Sequence, residues 1–319
     1  MATADVSGVL LIDKPVGPTS FDVVRSVKHA LRVKSAGHTG TLDPNASGLL
    51  PVCVGDATRI AAFITAGVKE YEGVVHFGVT TTTLDAEGEI TAQREVALTL
   101  EQVEAEVARL VGRQDQVVPM YSAHKVGGRR LYELAREGLE VERPSHEITV
   151  EEARLVEWAP PKARIQVRCS KGTYIRSLAA LLGERLGVGA HLSALRRLSS
   201  GPFRVDAALD LAGFTALAKA NPEAARGRLL TVELALAELP ECRLDARRAA
   251  SVAFGNPVAT ADRAASGCPH LPAGAFARIT DPDGAVVAVG ESDAAGGLRL
   301  ARVLRSKTGP GVGRARPQG

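Results

Sequence analysis

Between Ala36 and Gly48 the chain reads Ala-Gly-His-Thr-Gly-Thr-Leu-Asp-Pro-Asn-Ala-Ser-Gly, a polar, glycine-rich stretch with a single carboxylate. Pro44 disfavours helical geometry at Asp43, so this carboxylate is expected on a stiff, extended loop. An aspartate is ionised at neutral pH, and one so placed can act as nucleophile, general base or metal ligand. The same spacing describes an Asx-type turn satisfied by its own backbone, and the residues alone leave both readings open. Arg176 is the second candidate. It falls in the first turn of a predicted helix, where the dipole disfavours a cation, so an anionic partner is expected unless the side chain is simply solvated. A third stretch, residues 119–143, interleaves Tyr121, Lys125, Arg129, Arg130, Tyr132 and Arg136 with Gly127 and Gly128. Cations, aromatics and flexible glycines suit an RNA contact, although a solvated hairpin and helix would read alike.

Other chemistries find little support. Cys53, Cys169, Cys242 and Cys268 are scattered without a Cys-x-x-Cys pair, and the seven histidines form no His-x-x-x-His face. Inert thiols and no metal site are expected. A phosphate loop ending in Gly-Lys-Ser/Thr is missing too, which argues against a nucleotide-driven reaction.

The elements that must hold these residues follow from periodicity. Val6 to Ile12 is an apolar run that stops at Pro15 and reads as a buried strand, leaving Lys14 either solvated at its end or turned toward the site. A helix follows, capped by Thr19 or Ser20, with Phe21, Val24, Val27 and Leu31 as its apolar face. Residues 49–54 read as a strand, 56–64 as the start of a helix, and 71–79 as an alternating strand. Thr99 and Gln102 have capping-box spacing ahead of a surface helix. Ile165, Val167 and Cys169 alternate in a half-buried strand, after which Thr173 is expected to cap a helix with Ile175, Leu178, Ala179, Leu182 and Leu186 as its stripe. Residues 205–239 are alanine-rich and helical, and Pro240 marks a boundary. Beyond it, residues 276–280, 286–289 and 298–303 are strand-like, with Asp281-Pro282-Asp283-Gly284 as a turn. At 319 residues, 45% hydrophobic and 24% charged, the chain is globular, with room for two domains. No apolar run approaches the roughly 20 residues of a spanning helix, so a cytoplasmic protein is expected. The net charge of +3 permits a nucleic-acid partner without requiring one.

Five stretches together resemble one family. Gly37-His38-Thr39-Gly40-Thr41-Leu42-Asp43-Pro44 is similar to the signature loop of the TruB family of bacterial tRNA pseudouridine-55 synthases. Gly8-Val9-Leu10-Leu11-Ile12-Asp13-Lys14-Pro15, Lys69-Glu70-Tyr71, Pro119-Met120-Tyr121-Ser122-Ala123 and Ser170-Lys171-Gly172-Thr173-Tyr174-Ile175-Arg176 match it in the same order. The resemblance implies an α+β pseudouridine synthase fold, with a mixed, mainly antiparallel central sheet flanked by helices. It implies a catalytic domain over residues 1–239 with an RNA-gripping insertion at 119–143, a small β-rich PUA-like RNA-binding domain over 240–306, and a basic flexible tail at 307–319. Asp43 would be the nucleophile, Arg176 its charge partner, and Tyr71 the residue that stacks on the target base and takes part in late proton removal. His38 would fill the space the base vacates. Lys14 and Leu195 would lie near the base, Arg196 or Arg197 would meet phosphate, and Tyr121, Lys125, Arg129 and Arg130 would contact the tRNA T-arm around uridine 55. No cofactor, guide RNA or membrane is expected, and the protein is expected to be a monomer. The sequence departs from the family at Thr82, where an aspartate is usual, and at His124, where leucine is usual. Two other classes remain: a noncatalytic tRNA-binding or tRNA-folding protein, and a guide-RNA-dependent pseudouridylase subunit.

Overall fold

A computed structural model describes residues 6–304. In chain order the elements are β1 (Gly8–Lys14), α1 (Ser20–Leu31), β2 (Ala36–His38), β3 (Ala46–Val54), a 3-10 turn (Gly55–Ile60), α2 (Ala61–Thr65), β4 (Lys69–Phe77), β5 (Val79–Thr81) and β6 (Ile90–Gln93). They continue with α3 (Leu100–Ala108), β7 (Gly112–Val117), β8 (Lys125–Val126), β9 (Arg129–Arg130), α4 (Leu131–Arg136), β10 (Ser145–Ala159), β11 (Lys162–Cys169), α5 (Ile175–Arg185), β12 (Ala190–Ser200), β13 (Phe203–Arg204) and β14 (Leu209–Asp210). Last come α6 (Leu211–Ala220), α7 (Pro222–Arg226), α8 (Val232–Ala235), β15 (Glu241–Arg243), α9 (Ala246–Ala253), α10 (Thr260–Ala265), β16 (Phe276–Thr280), β17 (Val286–Ser292) and β18 (Leu298–Val303).

Contacts divide the chain into two units, one of residues up to Leu229 without Ser7–Val9 and Asp56–Ile60, the other of those two short segments with the chain from Leu230 onward. The division thus falls before α8, whereas composition placed it at Pro240. In the first unit a mixed, ten-stranded sheet runs β14-β1-β3-β12-β4-β11-β10-β7 among the described residues, with β2 on β3 and β13 on β12. Its centre carries the main core, in which Val23, Val27, Leu50, Val52, Val75, Phe77, Ile165, Leu178 and Leu182 are all buried. The alternation expected of β4 is present: Lys69, Tyr71, Gly73, Val75 and Phe77 are buried, and the residues between them are partly exposed.

Two local expectations are corrected. Phe21 lies outside the inner face of α1 and is 68% exposed, while Ser20, Val23, Val24, Val27 and Leu31 are buried. Thr19 forms a capping box with Asp22 and fixes Ser20 inward, which turns Phe21 about 100° away. At the other helix, Thr173 does not cap: its hydroxyl donates to Ser170 O, and α5 starts after Tyr174 without a side-chain cap. Gln116 takes over that role from β7, accepting from Tyr174 N at 2.8 Å and donating to Tyr174 O at 3.1 Å. Such a partner, distant in sequence, carries no local signal.

In the second unit β15-β16-β17-β18 form a sheet over a core that includes Cys242, Leu244, Ala277, Ile279 and Leu298. The expected turn is there, with Asp281 Oδ1 accepting from Asp283 N and Ala285 N. The basic tail at 307–319 lies outside the described residues. Among the described residues no helix is long and apolar enough to cross a membrane.

Candidate active site

Register brings the site together. In one row across the sheet Val167 of β11 faces Tyr71 of β4, Tyr71 faces Arg197 of β12, and Arg197 faces Gly48 of β3. The loop carrying Asp43 enters β3 beside this row and is pinned from several directions. Ser20 Oγ donates to Leu42 O at 2.9 Å and accepts from Leu42 N at 2.8 Å. Gly17 N donates to Pro44 O at 2.9 Å, and Arg197 donates to Leu49 O at 2.7 Å and Gly40 O at 3.1 Å. Gly48 has φ 100, and a Cβ there would sit 2.3 Å from Arg197 O, on the backbone of the neighbouring strand. Gly48→Ala is therefore expected to force β3 and β12 apart and to destabilise the protein by at least about 2 kcal/mol, measured as a fall in the urea midpoint.

Lys14 and Arg197 correct the expectations made for them. Lys14 is fully buried, and its ammonium donates to Ala46 O at 2.6 Å, Pro15 O at 3.0 Å and Pro44 O at 3.1 Å. It is neither solvated nor open to substrate; it ties the ends of the Asp43 loop. Arg197 is 1% exposed and engaged by backbone carbonyls, so it cannot reach a phosphate. Its neighbour Arg196 is also occupied, in a two-point pair with Asp13 at 2.7 and 3.0 Å.

Burial pushes the Lys14 ammonium down to about 8, against the attraction of Asp43 and with help from Arg197. Turnover is accordingly expected to fall on the alkaline side with a midpoint near 8, as the loop clamp loses its charge. The same titration does not weaken the fold: a lysine whose pKa is lowered from 10.5 contributes more to stability, not less, as pH rises from about 8 to that value. Parallel pH profiles of kcat and of the melting temperature separate the two effects.

Asp43 has a side chain 46% exposed and stands 3.4 Å from Arg176 Nη2, whose own side chain is 8% exposed. Arg176 also meets Asp85 Oδ2 at 3.1 Å and donates to Tyr121 O at 2.7 Å. The anionic partner expected of a cation in the first turn of α5 is thus a pair of carboxylates. Asp85, which no motif had singled out as a site residue, is itself held by hydrogen bonds from Thr83 Oγ1 and Glu87 N. The missing signal was the loop of 82–89, folded back so that Asp85 pairs with Leu192 of β12. Thr82 is exposed, with its hydroxyl accepting from Glu89 N, so it shapes this loop without joining the cluster.

Tyr71 is 8% exposed, and burial pushes its phenol up, opposed by the hydrogen bond and charge of Arg197. His38 ends β2, with Nδ1 accepting from Gly40 N at 3.3 Å; burial first and Arg197 second lower its pKa, so the ring is neutral at neutral pH. Leu195, part-buried, packs against the main core on β12, opposite Ala46. Tyr121 lends Arg176 its carbonyl. Lys125, Arg129 and Arg130 are exposed on the β8-β9 hairpin, above a small core of Val118, Leu131 and Leu134. There Arg129 pairs with Glu137 and Arg130 donates to Tyr132. His124 is exposed, so the departure there costs no buried contact.

A half-exposed carboxylate held at a buried guanidinium, on a clamped loop beside a buried tyrosine, suits a nucleophile. Comparison with known proteins identifies the lineage. Residues 28–175 match the TruB family pseudouridylate synthase N-terminal domain, and residues 176–237 match the tRNA pseudouridylate synthase B C-terminal domain. The chain belongs to the TruB family. It is similar to tRNA pseudouridine synthase B of Geobacillus kaustophilus, at 47% identity over 259 residues that cover 78% of this chain and 90% of the relative. Against the enzyme of the same name from Pseudomonas aeruginosa, identity is 39% over 302 residues, covering 94% and 97%. A protein chain in the crystal structure of a Cbf5-Nop10-Gar1 complex superposes with a TM-score of 0.76 at 26% identity, covering 93% of this chain and 84% of that one. The TruB-family protein described here is a tRNA pseudouridine synthase, an isomerase.

Proposed function

We propose that the enzyme isomerises uridine 55 of the tRNA T-loop, with Asp43 as nucleophile. The pairing of half-exposed Asp43 with nearly buried Arg176 carries this reading. The reaction breaks the bond from ribose C1′ to uracil N1, rotates the base and rejoins it through C5, which loses its hydrogen. Substrate and product are isomers, so no cofactor is consumed. Asp43 attacks either C1′ or the uracil ring, and both routes need its lone pairs free, as they are on the side away from Arg176. Extruding the base from the folded loop costs a few kcal/mol. His38, neutral and partly exposed beside the loop, suits the role of filling the vacated space. Tyr71 offers the stacking surface. It would also take part in the late removal of the C5 proton.

The exposed Lys125, Arg129 and Arg130 support local capture of the T-arm, with the C-terminal unit as a PUA-like contact to phosphate further along the tRNA. A monomer working on tRNA in the cytoplasm fits this reading. Two competitors are a guide-dependent reaction and a noncatalytic tRNA binder. One assay separates all three. Tritium at C5 of the uridines should appear in water when the protein alone is incubated with labelled tRNA transcript or a T-arm hairpin, and release should stop when uridine 55 is replaced by cytidine. Release only with an added guide would favour the guided reading. Release from the substituted transcript would refute the site assignment, and no release from any RNA would leave the binder.

A further inference from the structure

Exposed apolar side chains flank the Asp43 loop through both of its anchors. Leu42, which precedes Asp43, is held at N and O by Ser20, and Pro44, which follows it, accepts from Gly17 N. The chain neighbours of those anchors are Phe21 and Val16, 68% and 60% exposed. Single exposed apolar residues are ordinary on a protein surface, but these two stand at the rim of one carboxylate and lie outside the core. Phe21 is also held rigidly. Ser20 before it is locked to Leu42, and the capping box of Thr19 and Asp22 closes around it, so its backbone is fixed while its ring is left to solvent.

From Phe21 the outer face of α1 runs into cations. Phe21, Arg25 and Lys28 share one face at 3.6 residues per turn, and Arg32 follows at the C-cap; all four are exposed. Arg25 has only the exposed Asp22 as partner, at 2.7 Å, a pair of little worth that a phosphate can replace. Lys28 and Arg32 have no acid partner among the described residues. Where α1 ends, a cavity of about 610 Å³ lined in part by His29, Arg32, Lys219 and Arg226 continues the same sign, its one acid, Glu223, being taken by Arg226.

We propose that the outer face of α1 is an RNA track, in which an unpaired base of the tRNA loop beside the target uridine stacks on Phe21 and the phosphates beyond it lie along Arg25, Lys28 and Arg32. The inference rests on Asp43 marking the reacting site. A flat ring followed by cations matches a single strand, whose bases offer a π-face and whose backbone supplies the anions. From Phe21 to Arg32 the face is about 16 Å long at the helical rise, room for more than one nucleotide. Stacking also holds a neighbouring base out of the loop's own stack, which offsets part of the cost of extruding the uridine. The segment 119–143 reaches the site by another route, through the Tyr121 carbonyl on Arg176, so two separate elements grip the RNA.

Binding of the full-length protein to a T-arm hairpin and to tRNA transcript tests the track. Phe21→Ala should weaken hairpin binding by about 5- to 100-fold, the range for losing one stacked base, and should raise KM far more than it lowers the single-turnover rate at saturating RNA. Its urea midpoint should stay at the wild-type value, since the ring has little packing to lose. Phe21→Trp should bind within about threefold of wild type, whereas Phe21→Leu, which keeps apolar area without a flat face, should bind like Phe21→Ala. Arg25→Gln, Lys28→Gln and Arg32→Gln combined should reduce the slope of log affinity against log salt by about 2 to 3. Wild-type affinity in Phe21→Ala, Phe21→Leu binding as tightly as Phe21→Trp, or an unchanged salt slope would overturn the proposal. Tritium release by Asp43→Asn is read separately. Turnover in that variant would remove the nucleophile and leave the track standing on its binding data, and wild-type binding by the α1 variants would remove the track alone.

Discussion

Asp43→Asn is expected to lower kcat by at least about 10⁴-fold while leaving tRNA affinity and folding close to wild type. The amide has the shape of the carboxylate but no anionic lone pair with which to attack. The loop conformation does not rest on the Asp43 side chain, since Ser20, Gly17, Lys14 and Arg197 hold it through backbone atoms of Leu42, Pro44, Ala46, Gly40 and Leu49. A surface 46% exposed also has little buried packing to lose. Single-turnover tritium release against filter-binding affinity checks both halves of the expectation. Turnover above a few per cent of wild type would remove Asp43 from the nucleophile's role, and lost binding with lost activity would make it a docking residue instead.

Arg176→Lys carries the second largest expected effect, a fall in kcat of about 10²-fold or more. One planar guanidinium spans Asp43, Asp85 and the Tyr121 carbonyl, whereas a single ammonium on a differently shaped stem cannot meet all three in this geometry. Arg176→Ala goes further. It leaves Asp85, with a side chain only 13% exposed, beside an empty space, and a destabilisation of about 3–5 kcal/mol is expected from the uncompensated charge. The lysine variant, which keeps the charge, should lose most of its activity with much less of that instability. If urea midpoints and kcat fell in step across both variants, Arg176 would be a structural clamp only. A lysine variant with the wild-type rate would sink the proposed pairing of Arg176 with Asp43.

What the sequence revealed and what it hid divide along range of interaction. Local signals were legible: the alternation of β4, the capping box at Thr99, the Asp281 turn, and the anionic partner demanded by a cation in the first turn of α5. Charges settled by distant chain were not. Lys14 looked like a solvated or substrate-facing strand end, and only the return of the chain through Pro44 and Ala46 makes it a buried clamp. Arg197 read as a phosphate contact until the pairing of β12 with β3 and β4 placed it inside. Asp85 needed its own loop to fold onto β12 before it could share Arg176. In each case the residue type announced an interaction, and the fold decided with whom.

The row Val167, Tyr71, Arg197 and Gly48 has an evolutionary consequence. Because successive strand residues point to opposite faces, a single insertion or deletion inside β4 would turn Tyr71 away from Asp43 and send Glu70 or Glu72 inward. The loops at 82–89 and 119–143 carry no such parity and can change length one residue at a time. Divergence among relatives should therefore accumulate as indels at the rim of the site, while the strands beneath tolerate substitution but not a change of count.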